Sequence, residues 1–363
     1  MTTNFNPQRL TVARRRRGKT MSALAEMAHL STRIITAYER GEKEPGLLTM
    51  ERIAAALEFP IEFFSGPGLE EPPTSGTSFR KQSRLTAAKR DQALGSATIA
   101  MGLSEWIDER FGLPAPDIPR HEDVDPETAA RSVRAEWGLG ERSIPNMIHL
   151  LEAHGVRVFS LSEESREMDA ISFWRGNLPY VFLNTIKSGE HSRMDAAHEL
   201  GHLVLHWRGG AHGRKLEHEA QQFASAFLMP RSSVLAEAPR GGQLDQIVRA
   251  KKRWKVSVAA LVYRMNVVGL LSDWDYRTLF IKMNGDQMRV KEPYPIQAET
   301  SQVLGKVFKM LRDEGVSKAD IARDMRIYPE ELDRIIFGLT WTQVSGSGGA
   351  GEPQSERPAL RLV

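Results

Sequence analysis

The sequence predicts a mainly α-helical chain with a small α+β core near its middle. Apolar residues recur at helical spacing over most of the 363 residues. Three short β-type runs, Val156–Leu161, Ile171–Trp174 and Tyr180–Leu183, fall close together. Two stretches rich in Pro, Gly and Ser, 65–78 and 345–363, offer little to bury and divide the pattern. A chain of this length suits two or three domains rather than one.

Residues 7–64 read as short helices separated by tight turns, which sets a first domain at 1–64 and a linker at 65–84. Within it, Leu24, Ala25, Ala28, Leu30, Ile35 and Tyr38 have the spacing of two short helices packed across a turn, with Ser31 as N-cap of the second. A helix over 85–111 ends at Leu113-Pro-Ala-Pro116, Asp125-Pro126 opens the next, and Ile144–His154 is a third. The β-type runs follow. A long helix then covers His191–Trp207, and an amphipathic one covers Leu216–Leu228 and stops at Met229-Pro230. Residues 243–276 are helical again, and 279–291 alternate like a small strand or hairpin. The central unit is therefore expected over 85–291, a helical module over 292–341 and a disordered tail over 342–363.

Composition narrows the chemistry. The chain has no cysteine, which excludes a disulfide framework and any thiolate-ligated metal. No segment has the apolar length of a signal peptide or a membrane span, so a cytoplasmic protein is expected. Residues 1–50 hold nine Lys and Arg against four Glu, whereas the whole chain is only +3. A basic end suits a polyanion partner, though a solvated basic arm would look the same.

His198-Glu199-Leu200-Gly201-His202 places two imidazoles on one helical face, four residues apart, where both can bind one metal ion. Glu199 between them is placed to act as a general base on water. Ala196, Ala197, Leu203 and Val204 make this helix apolar enough to be buried. A histidine pair buried without metal is the plain alternative. A catalytic metal site needs a third protein ligand, and the helix from Leu216 offers Glu217, His218 and Glu219. Phe223, Ala226 and Phe227 form its apolar stripe, and Glu219 lies one turn before Phe223. That favours Glu219 as ligand, with His218 as rival and Glu217 facing solvent.

Residues 193–230 resemble the ImmA/IrrE family of zinc-dependent endopeptidases, which has the same HExxH followed by a Glu-Ala-Asn/Asp-x-Phe-Ala-Ala-x-Leu-Leu-Met-Pro helix. The resemblance implies a zincin-like fold and one Zn2+ per chain held by His198, His202 and Glu219, with Glu199 as base. Gln221 stands where the family has Asn or Asp. The strand Tyr180–Thr185 also fits, as the place where an extended substrate would add. Family members cleave regulatory proteins, so the expected substrate is a repressor or antitoxin, or the chain itself. His206 and Tyr180 are candidates for stabilising the oxyanion. The competing reading is a regulator whose peptidase-like domain senses or binds without turnover.

The run from Thr20 through Glu39-Arg-Gly-Glu-Lys-Glu-Pro45 to Leu57 is similar to the XRE/Cro-C1 helix-turn-helix family, with His29 in place of the usual turn glycine and Met21 in place of the frequent Gln. Such a head implies double-stranded operator DNA as partner and a homodimer on paired half-sites. Thr32, Arg33, Thr36 and Ala37 are expected on the base-reading face, and Arg16, Arg17 and Lys19 on phosphates. Residues 315–337 have a second helix-turn-helix pattern, but Glu330, Glu331 and Asp333 would repel phosphates. A dimerisation or partner-contact module is preferred there over a second DNA reader.

Overall fold

The computed structural model describes residues 5–73, 78–79, 86–161, 168–208, 213–288 and 291–340. The expected tail at 342–363 and much of the expected linker lie outside the described residues.

The head is built from α1 (Pro7–Arg16), α2 (Met21–Met27), α3 (Thr32–Glu39) and α4 (Leu47–Leu57), closed by a 3-10 turn at Ile61–Ser65. Asn6, Thr20 and Ser31 each accept a backbone N–H of the helix that follows. Leu10, Leu24, Ile35, Ile53 and Phe63 are buried and make its core. The turn between α2 and α3 needs a left-handed residue, and His29 adopts φ +54° there. The start of the expected linker is tied down. Asn6 Nδ2 donates to Gly66 O at 3.0 Å, Arg9 Nε to Pro67 O at 2.8 Å, and Leu69 N to Gln8 Oε1 at 2.9 Å.

The long helix α5 (Ala87–Asp108) packs across α1. Gly95 makes the crossing possible, because a Cβ at that position would stand 2.7 Å from Arg16 N.

The central unit holds α6 (Pro126–Glu136), α7 (Met147–Ala153), α8 (Gly189–Leu205), α9 (Arg214–Leu228), α10 (Arg231–Glu237), α11 (Leu244–Trp254), α12 (Val258–Val267) and α13 (Asp273–Gly285). Its sheet contains β1 (Ser78–Phe79), β2 (Arg157–Ser160), β3 (Ala170–Arg175) and β4 (Leu178–Leu183), in the order β1-β3-β4-β2. β1 and β4 run antiparallel to β3, and β2 runs parallel to β4. β4 is thus paired on both sides, so the expectation that substrate adds to Tyr180–Thr185 is corrected. Its backbone groups are already used.

Residues 279–285 belong to α13, which corrects the expected strand or hairpin over 279–291. Ser272 and Asp275 form a capping box that starts the helix, and Leu279 and Met283, four apart, are its buried residues. That helical row outweighs the local alternation.

The C-terminal module is α14 (Gln302–Asp313), α15 (Lys318–Asp324) and α16 (Pro329–Ile336). Glu152 of α7 caps α14, accepting from Gln302 N at 2.9 Å, Val303 N at 3.2 Å and the Ser301 hydroxyl. α16 lies against β2 and α5. Among the described residues no helix is long and apolar enough to cross a membrane.

Candidate metal centre and nucleic-acid interface

α8 starts at Ser188, whose hydroxyl accepts from His191 N, and it carries His198, Glu199 and His202 on its buried length. α9 crosses it at close range. A Cβ on Gly201 would stand 3.1 Å from Phe223 Cδ1 and 3.2 Å from Ala220 Cα, so the glycine allows near-contact of the two backbones. Ala220 and Phe223 thus lie at the crossing, and Glu217, three residues before Ala220, is on the side of α9 that meets α8.

That geometry corrects the third-ligand expectation. Glu217, not Glu219, reaches the histidine pair. His198 Nε2 is 3.3 Å from Glu217 Oε2, His202 Nε2 is 3.5 Å from Glu217 Oε1, and the two Nε2 atoms are 3.1 Å apart. The three groups lie within 4.8 Å of one another. Four ligands about 2.1 Å from a tetrahedral zinc stand roughly 3.4 Å apart, so these residues fit such an ion. Burial pushes the Glu217 carboxyl up, but hydrogen bonds and charge from His198 and His202 outweigh it and hold Glu217 well below the usual carboxylate range. Glu219 points elsewhere. Its Oε2 is 3.0 Å from His206 Nε2, and His206 Nδ1 is 3.0 Å from His202 Nδ1. Burial chiefly lowers the pKa of His206, with Glu219 acting against it. The rival ligand His218 is not in the group.

Glu199 is fully buried beside the pair. Ser172 of β3 donates to its Oε2 at 2.5 Å, a contact no sequence pattern announces. Trp174 Nε1 donates to Leu203 O at 3.1 Å and pins the same strand to α8. Ser172 is paired with Ser78 of β1, so beside Glu199 the outer side of β3 is taken up by the short strand Ser78–Phe79. Tyr180 is not brought to the site. Its hydroxyl meets Ser104 of α5 at 3.4 Å, and its ring stacks on Phe173. Gln221 Nε2 reaches Met194 Sδ at 3.8 Å and stands apart from the ligand group.

In the head, Thr32 and Arg33 are exposed at the start of α3 and Lys19 is half-buried. Thr36 is half-buried, its hydroxyl donating to Thr32 O at 2.9 Å. Ala37 is buried, which removes it from the reading face. The phosphate role expected for Arg16 and Arg17 is corrected too. Arg16 is fully buried and its Nε meets Glu331 Oε1. Arg17 donates to Glu331 Oε2 at 2.8 Å, Leu57 O at 2.8 Å and Glu58 O at 3.0 Å, over the Phe59 ring. Arg14 grips Glu39 of α3 at 2.5 and 2.9 Å. Arg14, Arg16 and Arg17 of the basic run are thus spent on contacts within the molecule.

Residues 151–266 match the family model of the IrrE N-terminal-like domain, Peptidase_M78, and residues 12–64 match the helix-turn-helix family HTH_3. The chain joins a helix-turn-helix head to an IrrE N-terminal-like domain. A comparison with curated proteins found no match. Ser172, His198, Glu199, His202 and Glu217 all fall inside the IrrE N-terminal-like match, and α3 falls inside the helix-turn-helix match. The domain is of a metallopeptidase-like family, and the head is of a DNA-binding type.

Proposed function

We propose that this protein is a DNA-bound transcriptional regulator whose IrrE N-terminal-like domain hydrolyses a peptide bond in a regulatory protein. That protein would be a partner repressor or antitoxin, or the chain itself, in a stress, prophage or mobile-element setting. The observation that carries the reading is the meeting of His198, His202 and Glu217 with Glu199 buried alongside. A pure binding domain has no need to bury a carboxylate there.

One zinc ion per chain, held by His198, His202 and Glu217, would supply Lewis-acid activation of water and of the scissile carbonyl. Glu199 takes a proton from the attacking water as the oxygen bonds to the carbonyl carbon. It returns that proton to the leaving amine as the C–N bond breaks. Ser172 keeps the carboxylate aimed while this happens. An extended substrate segment is proposed to pair along the outer edge of β3 by taking the place that the two-residue strand Ser78–Phe79 holds there. Thr32, Arg33 and Thr36 are the proposed base-reading residues, with Lys19 on phosphate, in a homodimer on paired half-sites.

The test is zinc stoichiometry of the full chain, followed by mapped cleavage of repressors encoded beside it, comparing wild type with Glu199→Gln. One zinc per chain and cleavage by wild type alone is the expected result. Binding of zinc with no cleavage of any such protein, or of its own 65–84 segment, would favour a sensor without turnover.

A further inference from the structure

His206 and Glu219 take no part in the hydrolysis described above, yet they are linked in sequence to the ring of His202. His206 caps the C-terminal end of α8, one turn after His202. His202 directs Nε2 toward His198 and Glu217, and the other edge of its ring, Nδ1, toward His206 Nδ1 at 3.0 Å. His206 in turn directs Nε2 to Glu219 Oε2 at 3.0 Å. Every link uses a separate ring nitrogen. A single proton arrangement therefore serves the whole chain. His202 Nδ1–H donates to His206 Nδ1, and His206 Nε2–H donates to the Glu219 carboxylate.

We propose that Glu219 and His206 are positioning residues that fix the ring and tautomer of His202, and so set the strength with which its Nε2 binds metal. The proposal rests on the metal-centre reading. Its physical basis is the single proton of a neutral imidazole. Held on Nδ1 by His206, that proton leaves Nε2 as a bare lone pair facing Glu217 and His198; held on Nε2, it would block ligation. The carboxylate at the far end anchors the sequence because it can only accept. It also explains why α9 carries two carboxylates two residues apart. Glu217 meets the Nε2 side of the histidine row and Glu219 the Nδ1 side. Lys215 approaches Glu219 Oε1 at 3.6 Å from the exposed outer face.

The experiment measures zinc affinity of the full-length protein by chelator competition, for wild type and for Glu217→Ala, His206→Ala, Glu219→Ala and Glu219→Gln. Thermal midpoints of the zinc-free forms and the visible spectrum with Co2+ in place of zinc are recorded alongside. Loss of an outer partner of a ligating histidine weakens metal binding about 10- to 100-fold. His206→Ala and Glu219→Ala should fall in that range, with zinc-free midpoints and cobalt coordination number unchanged. Glu219→Gln keeps an acceptor oxygen and should lose less than Glu219→Ala. Glu217→Ala should lose stoichiometric binding altogether. Unaltered affinity in both His206→Ala and Glu219→Ala overturns the relay while leaving the metal centre standing. Loss in Glu219→Ala as complete as in Glu217→Ala overturns it as well, by making Glu219 a ligand. A wild-type chain that takes up no zinc overturns the metal-centre reading, and the relay with it. If His206→Ala fails to fold, the Glu219 pair, on a partly exposed side chain, decides the matter.

Discussion

The hydroxyl of Ser172 on β3 donates to Oε2 of Glu199 on α8 at 2.5 Å, so the sheet holds the carboxylate that the helix supplies. A hydrogen bond to a charged acceptor contributes about 1.5–3 kcal/mol. Ser172→Ala should therefore lower the rate of peptide hydrolysis by roughly 10- to 100-fold, with zinc content unchanged. Rates measured at saturating substrate check this, and a Ser172→Ala enzyme as fast as wild type would refute the positioning role.

A second expectation concerns DNA. Arg33 is exposed at the start of α3, whereas Arg17 is used inside the molecule. Arg33→Ala should weaken binding to a duplex taken from upstream of the gene by about 5- to 150-fold, the worth of one good base contact. Arg17→Ala should leave the slope of affinity against salt unchanged, because it removes no phosphate contact. A salt slope reduced by about one in Arg17→Ala would show that the arginine does reach phosphate.

The pairing of Glu331 with Arg16 and Arg17 leads to a stability prediction. Removing one side of a buried ion pair leaves the other charge without compensation and typically costs about 3–5 kcal/mol. Glu331→Ala should destabilise by that order in urea unfolding, since Arg16 is fully buried and Glu331 only 2% exposed. A hydrophobic replacement of both, Arg16→Met with Glu331→Leu, should recover most of the loss. A cost below about 1 kcal/mol for Glu331→Ala would place the pair in high dielectric, as at a surface.

Glu152 gives the pH dependence. Burial pushes its carboxyl up to about 7, against hydrogen bonds from Ser301, Val303 and Gln302 that favour the charged form. The folded state therefore holds the proton to higher pH than the unfolded chain does. This contribution is full below the unfolded carboxylate pKa of roughly 4.5 and is lost as pH rises through about 7. Relative to Glu152→Gln, wild type should lose on the order of 2–3 kcal/mol between pH 4.5 and 7.5. Parallel stability curves for the two proteins over that window would contradict it.

Much of the candidate metal centre was legible because it is local. His198 and His202 are four apart on one helix, so spacing alone brings them together. The third group was not legible. Whether Glu217 or Glu219 turns inward depends on which row of α9 meets α8, and that is set by the Gly201–Ala220 approach, a tertiary contact. Phe223 and Ala220 both pack against Gly201, so the apolar stripe alone does not separate Glu219, one turn before Phe223, from Glu217, one turn before Ala220. The basic run Arg14–Arg17 was legible in sign but not in direction, since Glu331, the partner of Arg16 and Arg17, is more than 300 residues away. Sheet order was hidden for the same reason, as pairing of β1 with β3 spans about 90 residues. Residues 279–285 misled through local alternation, which the row of Leu279 and Met283 overrode.

The grip of Glu331 on Arg16 and Arg17 also bears on how such a chain can be rearranged by recombination. The helix-turn-helix head ends near residue 64 in sequence, and by sequence alone a crossover in the following segment exchanges it cleanly. An incoming head with other residues at positions 16 and 17 would strand a buried carboxylate on α16, far downstream. Successful exchange of specificity therefore has to leave positions 16 and 17 in place, or to carry position 331 along as a hitchhiker. The first and last helical modules are in that sense inherited as one piece.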